Sequence, residues 1–542
     1  MRRRTWANTI SNTNGSATGL PRLLRLLILL VAFALRTWEL DGRALWFDEG
    51  MEYWVATAAP TEIFASVQRG IQDPPLYSVL LHWWMQLGHG EFQLRYLSVL
   101  ASVLSVAGVI LLGHRFGGSV AGLYTGALFA VLPGEIRYAQ EVGQYGLMIC
   151  LLTWTTVAFF AAIRQNWTRA WILWLLLATG ATYSYYGAVF TVLTPFALYL
   201  AGEIIQRRWR RAMALVAMVF SYTLFVLPLV LFFLPQQLFR GPTAQALQSR
   251  FASPLAEVRT FLGETQGLLA FQFTGWPWTG LPAWLPALPI SLVLAAAALS
   301  AMRSPGARQS LLVLVATTGI YYTASRWNLF PYGFRYGLIL TPLLLPVMGV
   351  GLATTASFKS RWTPAAWGAM LLFLCLVGIA LLSLPHPSVR ERLLSPATPH
   401  AWPEQEELRP VTSYWLDQRA PGEITYVYYG AAPAFRYYLR LLGVDLAPVP
   451  ATWYLDCWRS ATPAYCQVEN IYFGRGLRSL AAAEKGHTVV EALPLAFDSG
   501  WFVFSHVFAD EQELILKTLS QDYEVVEQVE TTGAALYRLR RQ

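Results

Sequence analysis

Charge is what this sequence has least of. Only 13% of its 542 residues are Asp, Glu, Lys or Arg, against about one-quarter in an average soluble chain. That shortage argues against an ordinary soluble enzyme, a disordered protein or a collagen-like fibre. Cysteine is scarce too, with four in the whole chain and no spacing that resembles a zinc site. Apolar residues take up the difference: 55% of the chain is hydrophobic and 14% aromatic, and the mean hydropathy is +0.40.

The few charges are unevenly distributed. The net value of +8 divides into +13 over residues 1–384 (26 basic, 13 acidic) and −5 over residues 385–542 (14 basic, 19 acidic). Runs of about 20 apolar residues, enough to cross a bilayer, occur only in the first part. They predict eleven membrane helices, near 21–38, 93–113, 119–134, 143–163, 170–182, 186–205, 212–234, 284–302, 310–326, 335–354 and 365–384. The run 75–88 is shorter and richer in aromatics, and is read as an interfacial helix, with a full span as the alternative.

With the N-terminus inside, the cytosolic pieces hold 16 Lys/Arg and one acid, Glu203. The other ten arginines and twelve acids of residues 1–384 fall on the opposite side. This is the positive-inside pattern. It makes the net charge an orientation signal and disfavours nucleic acid as a partner, since no recognisable module gathers the basic residues. Residues 1–20 read as a disordered cytosolic tail and 21–384 as a membrane domain. The Pro-rich stretch 385–410 reads as a linker and 411–542 as an extracytoplasmic α/β domain built from alternating strands and helices. Cys457 and Cys466, nine apart in a loop-like stretch of that domain, predict a disulfide in an oxidising compartment.

On the external face, acids and aromatics concentrate in two places. One is the loop 39–92, with Trp46-Phe47-Asp48-Glu49-Gly50 and later Gln72-Asp73-Pro74-Pro75. The other is 133–145, with Glu135, Arg137, Gln140, Glu141 and Tyr145. A carboxylate flanked by aromatics at a membrane surface suits a general base, because partial desolvation raises its pKa. Arg69, Arg95, Arg137, Arg326 and Arg335 lie at predicted external helix ends or loops, and guanidinium is a favoured partner of phosphate. In the last domain, Arg436, Tyr437, Tyr438, Ser505 and His506 are candidate contact residues.

WFDEG after the first span, then DPPLYSVLLHWW, GEFQLRYLSVLAS, RYAQEVGQYGLM and FRYGLILTPLLLP together resemble the bacterial GT-C membrane glycosyltransferases. The likeness is to glycosyltransferase family 39, dolichyl-phosphate-mannose protein mannosyltransferase-like, and to its lipid A and rhizobial lipopolysaccharide relatives. It covers about residues 20–355. The resemblance implies a polytopic α-helical GT-C fold in the cell (inner or plasma) membrane. It also implies inverting transfer of a sugar from a polyprenyl-phosphate donor to an acceptor hydroxyl on a glycolipid, polysaccharide or protein.

Residue by residue, the resemblance implies Asp48 as general base with Glu49 beside it. Asp73, Gln140, Glu141, Tyr145 and Tyr185 would shape the substrate pocket, and Arg95, Arg137 and Arg335 would face the donor phosphate. Relatives often carry arginine where this chain has Gly143, and histidine where it has Tyr185. A divalent metal is compatible with such a site, but nothing in the sequence indicates one. Two other readings are a flippase for lipid-linked sugars and a non-catalytic membrane scaffold. The flippase would want ionisable residues at mid-membrane, whereas these spans are apolar in their middles. The scaffold would leave the Asp48-Glu49 pair without purpose.

Overall fold

A computed structural model describes residues 19–68, 74–165, 168–235, 254–274, 291, 294–299, 304–327, 329–357, 406–444, 446, 466–477, 480, 482–490, 493 and 497–542. The chain divides into two compact units that do not follow chain order. Residues 1–38 and 98–394 form one, and residues 39–97 and 395–542 form the other.

The first unit is helical. Its helices begin with α1 (Gly19–Thr37), and the loop that follows contributes α2 (Phe47–Thr57), α3 (Pro60–Gln68) and α4 (Leu76–Trp84) to the second unit. Next come α5 (Glu91–Val131), α6 (Pro133–Ala139), α7 (Gln144–Gln165), α8 (Thr168–Ser184), α9 (Ala188–Ile205) and α10 (Trp209–Phe232). The series continues with α11 (Pro254–Thr274), α12 (Pro305–Arg326) and α13 (Thr341–Ser357).

Among the described residues, five helical stretches are long and apolar enough to cross a membrane: 91–131, 144–164, 188–205, 209–232 and 335–354. The first of these holds two of the expected spans. It breaks at Gly118, whose φ of +84° lies in the left-handed region, where glycine carries no Cβ penalty. The arms then double back: a Cβ at Gly126 would sit 2.4 Å from the Ile110 side chain, and one at Gly113 would sit 2.2 Å from Thr125 Oγ1. Small residues allow that close approach in a setting where packing, not water, drives helix association.

Helix α4, nine residues long, is too short to span, in keeping with the interfacial reading of 75–88. The expected span 365–384 and most of 284–302 lie outside the described residues, as do the linker up to 405, Asp73 and Cys457. Of Cys466 only the backbone, opening a short strand, is described. Helix α11 was assigned no element from sequence, because its polar positions hide it from a search for apolar runs. Glu257 on α11 pairs with Arg326 on α12 at 2.7 Å.

The second unit contains α14 (Leu408–Gln418), β1 (Ile424–Val427), α15 (Ala432–Leu441), β2 (Cys466–Val468), β3 (Ile471–Phe473), α16 (Ala482–Val490), β4 (Ser499–Ser505), α17 (Glu511–Leu519), β5 (Tyr523–Thr531) and β6 (Ala534–Arg541). The six strands form one sheet in the order β2-β3-β1-β4-β6-β5. The central β3, β1 and β4 run parallel, and β2, β6 and β5 are antiparallel to their neighbours. In β4, Trp501, Phe502, Val503 and Phe504 are all fully buried, the near-continuous apolar run of a strand covered on both faces.

Candidate functional site

Helix α2 carries the WFDEG segment, and its start is unusual. Trp46 occupies the N-cap and makes no side-chain cap hydrogen bond, although the first N–H groups of a helix need acceptors. Carboxylates supply them. Glu49 Oε2 accepts from the Trp46 amide at 3.4 Å, and Glu406 Oε2 accepts from the Phe47 amide at 3.2 Å. Two acids in the first turn also suit the positive end of the helix dipole.

The adjacent carboxylates Asp48 and Glu49 are in different situations. Glu49 is buried and held by Arg95, at 2.8 Å from Nε and 2.6 Å from Nη2. The remaining Arg95 hydrogen bonds run to the carbonyls of Leu40 (2.8 Å), Arg43 (2.9 Å) and Ala44 (3.1 Å). Asp48 is only half-buried. One turn further along α2, Glu52 Oε1 accepts from Ser78 Oγ of α4 at 2.6 Å. Arg95 is thus committed to the carboxylate and carbonyls of its own unit.

The C-terminal residues flagged from sequence close around the same helix. Tyr438 Oη donates to Glu91 and accepts from the Leu45 amide at 2.6 Å. Arg436 lies 4.0 Å above the Trp54 ring, and Tyr437 Oη donates to the His89 carbonyl at 2.9 Å. Tyr53 packs edge-on against Tyr437. Burial, outweighing the nearby Arg440 and Arg436, pushes the Tyr53 phenol up to about 12, and burial raises those of Tyr437 and Tyr438 as well. All three rings therefore stay neutral donors at physiological pH.

In the first unit, the second external segment forms α6, all seven of whose residues are buried. Gln140 Nε2 donates to the carbonyls of Leu35, Arg36 and Trp38 at 2.9–3.4 Å, tying the segment to the end of α1. Glu135 Oε1 accepts from Thr341 Oγ1 at 2.8 Å. Burial pushes the Glu135 carboxyl up to about 7, with the Thr341 hydrogen bond and the Arg36 charge acting against it. Glu141 and Arg137 are buried nearby in the chain, and the Arg137 guanidinium lies 5.7 Å from the Tyr138 ring.

Three of the expected site residues come together here. Tyr145 contacts Tyr185 (5.6 Å between ring centroids) and Tyr138 (4.9 Å). The Arg335 guanidinium stands 6.0 Å from the Tyr145 ring and 5.9 Å from that of Tyr336. Residues missed from sequence are Glu406 and Thr341, each partner to a candidate segment more than two hundred positions away. Among the described residues, no group of three or more His, Cys, Asp or Glu could hold a metal ion.

Residues 72–232 match the family model for dolichyl-phosphate-mannose-protein mannosyltransferase. Among solved structures, the crystal structure of ArnT from Cupriavidus metallidurans in the apo state is similar, with a TM-score of 0.52 and 15% identity over 97% of this chain and 98% of that one. The same protein bound to undecaprenyl phosphate gives a TM-score of 0.50 and 16% identity over 96% and 98%. No curated protein sequence matches the chain. At this identity the structural likeness shows the fold. The family match covers less than half of the chain, so what the comparisons show is a shared fold, apolar helices followed by a C-terminal sheet domain.

Proposed function

We propose that this chain is an inverting glycosyltransferase of the cell membrane. It moves a hexosyl or pentosyl group from a polyprenyl-phosphate donor to an acceptor hydroxyl on the extracytoplasmic face. The acceptor is an envelope glycolipid, polysaccharide or protein. The similar ArnT structure was solved with undecaprenyl phosphate, which supports a lipid phosphate as leaving group. The nearly acid-free basic loops support an N-terminus inside and the α/β domain outside.

The observation that carries the reading is the division of labour within the Asp48-Glu49 pair. Glu49 is consumed by Arg95, while Asp48, one residue earlier on the same rigid turn, keeps partial exposure. Asp48 accepts the proton of the acceptor hydroxyl as that oxygen attacks the anomeric carbon. The bond from that carbon to the phosphate oxygen breaks on the opposite face, which inverts the configuration, and polyprenyl phosphate leaves with the electron pair. Arg335, 6.0 Å from the Tyr145 ring, and Arg137 serve the departing phosphate, and Gln140 and Glu141 contact the substrate. Glu49 and Arg95 hold the base-bearing helix. General-base catalysis is worth about 10²–10⁴-fold, and positioning and electrostatic stabilisation supply the rest.

The test is purified protein assayed against a panel of polyprenyl-phosphate sugars, reading release of polyprenyl phosphate. Asp48→Asn is expected to bind the donor normally and lose transfer. Near-normal turnover by that variant with a working donor overturns the assignment.

A further inference from the structure

In an open α/β sheet, ligands bind in the crevice beyond the carboxyl ends of the strands, where the strand order reverses. Here the chain passes from β1 to the antiparallel β2-β3 pair on one side of it and then returns to β4 on the other side. The crevice therefore lies between the ends of β1 and β4, where Tyr428–Ala431 leads into α15 and Ser505–Val507 leaves the sheet. Residues 44–50 of the same chain lie against it. Phe47 stacks on the His506 ring at 4.8 Å and 14°. The His506 Nδ1 is 2.5 Å from Glu406 Oε1, and the other Glu406 oxygen accepts from the Phe47 amide. Gly50 meets the start of α15 so closely that a Cβ would fall 2.9 Å from the Ala434 nitrogen.

Three details make this a built fit. The Trp46 side chain at the N-cap of α2 makes no cap hydrogen bond, and the Phe47 amide is accepted by a residue 359 positions away. Glu406 is 2% exposed, and each of its oxygens is hydrogen-bonded. His506 holds φ at +51°, a left-handed conformation that a non-glycine residue adopts at a cost.

We infer that the α/β domain takes the acid-bearing helix as its own ligand, and that Glu406 and His506 are positioning residues that set the placement of Asp48. The inference rests on the reading of Asp48 as base. It assigns the domain a part in catalysis that requires no second substrate site.

The test pairs kinetics with hydrogen exchange on the full-length protein in detergent. Glu406→Ala is expected to lower kcat on the order of 10²-fold, the penalty of a misplacement of about 1 Å, with the donor KM little changed. Glu406→Gln can still accept from Phe47 and donate to the other imidazole tautomer, so it is expected to restore most of the rate. Exchange in the peptide covering residues 44–54 should accelerate in Glu406→Ala while β4 stays protected. If Glu406→Ala unfolds the domain, His506→Asn decides, because asparagine tolerates positive φ but lacks the stacked ring. Unchanged exchange at 44–54 in the folded variants overturns the inference, as does an equal loss of rate in the Ala and Gln variants. An active Asp48→Asn protein would instead remove the base assignment and leave the exchange result standing.

Discussion

The carboxylate of Glu49 is clasped through both oxygens by the guanidinium of Arg95, at 2.8 Å and 2.6 Å, with the two side chains 2% and 1% exposed. Two charges are thus withdrawn from water together, and Arg95 also donates to the carbonyls of Leu40, Arg43 and Ala44. Such a pair adds little to stability compared with an apolar replacement, but breaking it leaves a bare buried charge. What it provides here is geometry, since it fixes the turn on which Asp48 sits.

Arg95→Ala should destabilise the protein by about 3–5 kcal/mol, the usual cost of orphaning a buried carboxylate. Arg95→Lys should recover only part of that, because an ammonium has three donors and no planar fork. Thermal unfolding in detergent checks both. A raised donor KM in a fully stable Arg95→Lys protein would instead return Arg95 to the phosphate.

Gly50→Val is expected to cost about 1–3 kcal/mol through overpacking, since even a Cβ would lie 2.9 Å from both the Ala434 nitrogen and the Pro433 Cβ. The same variant should lose transfer activity in the folded fraction. Glycine at this position therefore serves helix contact, and equal stability of Gly50→Val and wild type would contradict that.

Glu135 gives a pH signature. Its folded value of about 7 lies above the ordinary 4.5, so between these two the folded protein holds the proton more tightly than the unfolded chain. Stability contributed by the neutral carboxyl is present at low pH and lost as pH rises through about 7. Glu135→Gln removes this titration. Its stability should gain on wild type between about pH 5 and pH 8, by a margin on the order of 3 kcal/mol, read as a rise in melting temperature. Parallel curves for the two proteins would show that Glu135 does not titrate in that window.

Arg335→Lys should raise the donor KM about tenfold, equivalent to about 1.4 kcal/mol, because a point charge replaces a bidentate phosphate partner. Its stability should stay near wild type, as Arg335 is only half-buried. Isothermal binding of polyprenyl phosphate measures the effect directly, and unchanged affinity removes Arg335 from the donor site.

Much of the helical unit was legible in the sequence. The runs at 143–163, 186–205 and 212–234 coincide closely with α7, α9 and α10. In lipid a helix satisfies its own backbone within one segment, so a contiguous apolar run carries the whole signal. The alternating strands and helices expected over 411–542 are local in the same sense. Helix α11 escaped because its charged face answers to Arg326, a residue 69 positions downstream of Glu257.

By itself the sequence determined the apolar character of the helical segments, the sign of the loops between them and the place of two acids after the first span. Those properties are local, since each depends on residues within one turn or one run. Only the tertiary structure decided how the adjacent acids differ. Glu49 is claimed by Arg95, 46 positions away, and the amide that begins their helix is claimed by Glu406, 359 positions away. No pattern along the chain encodes such partners, because they meet only when folding closes those loops and removes the charges from water.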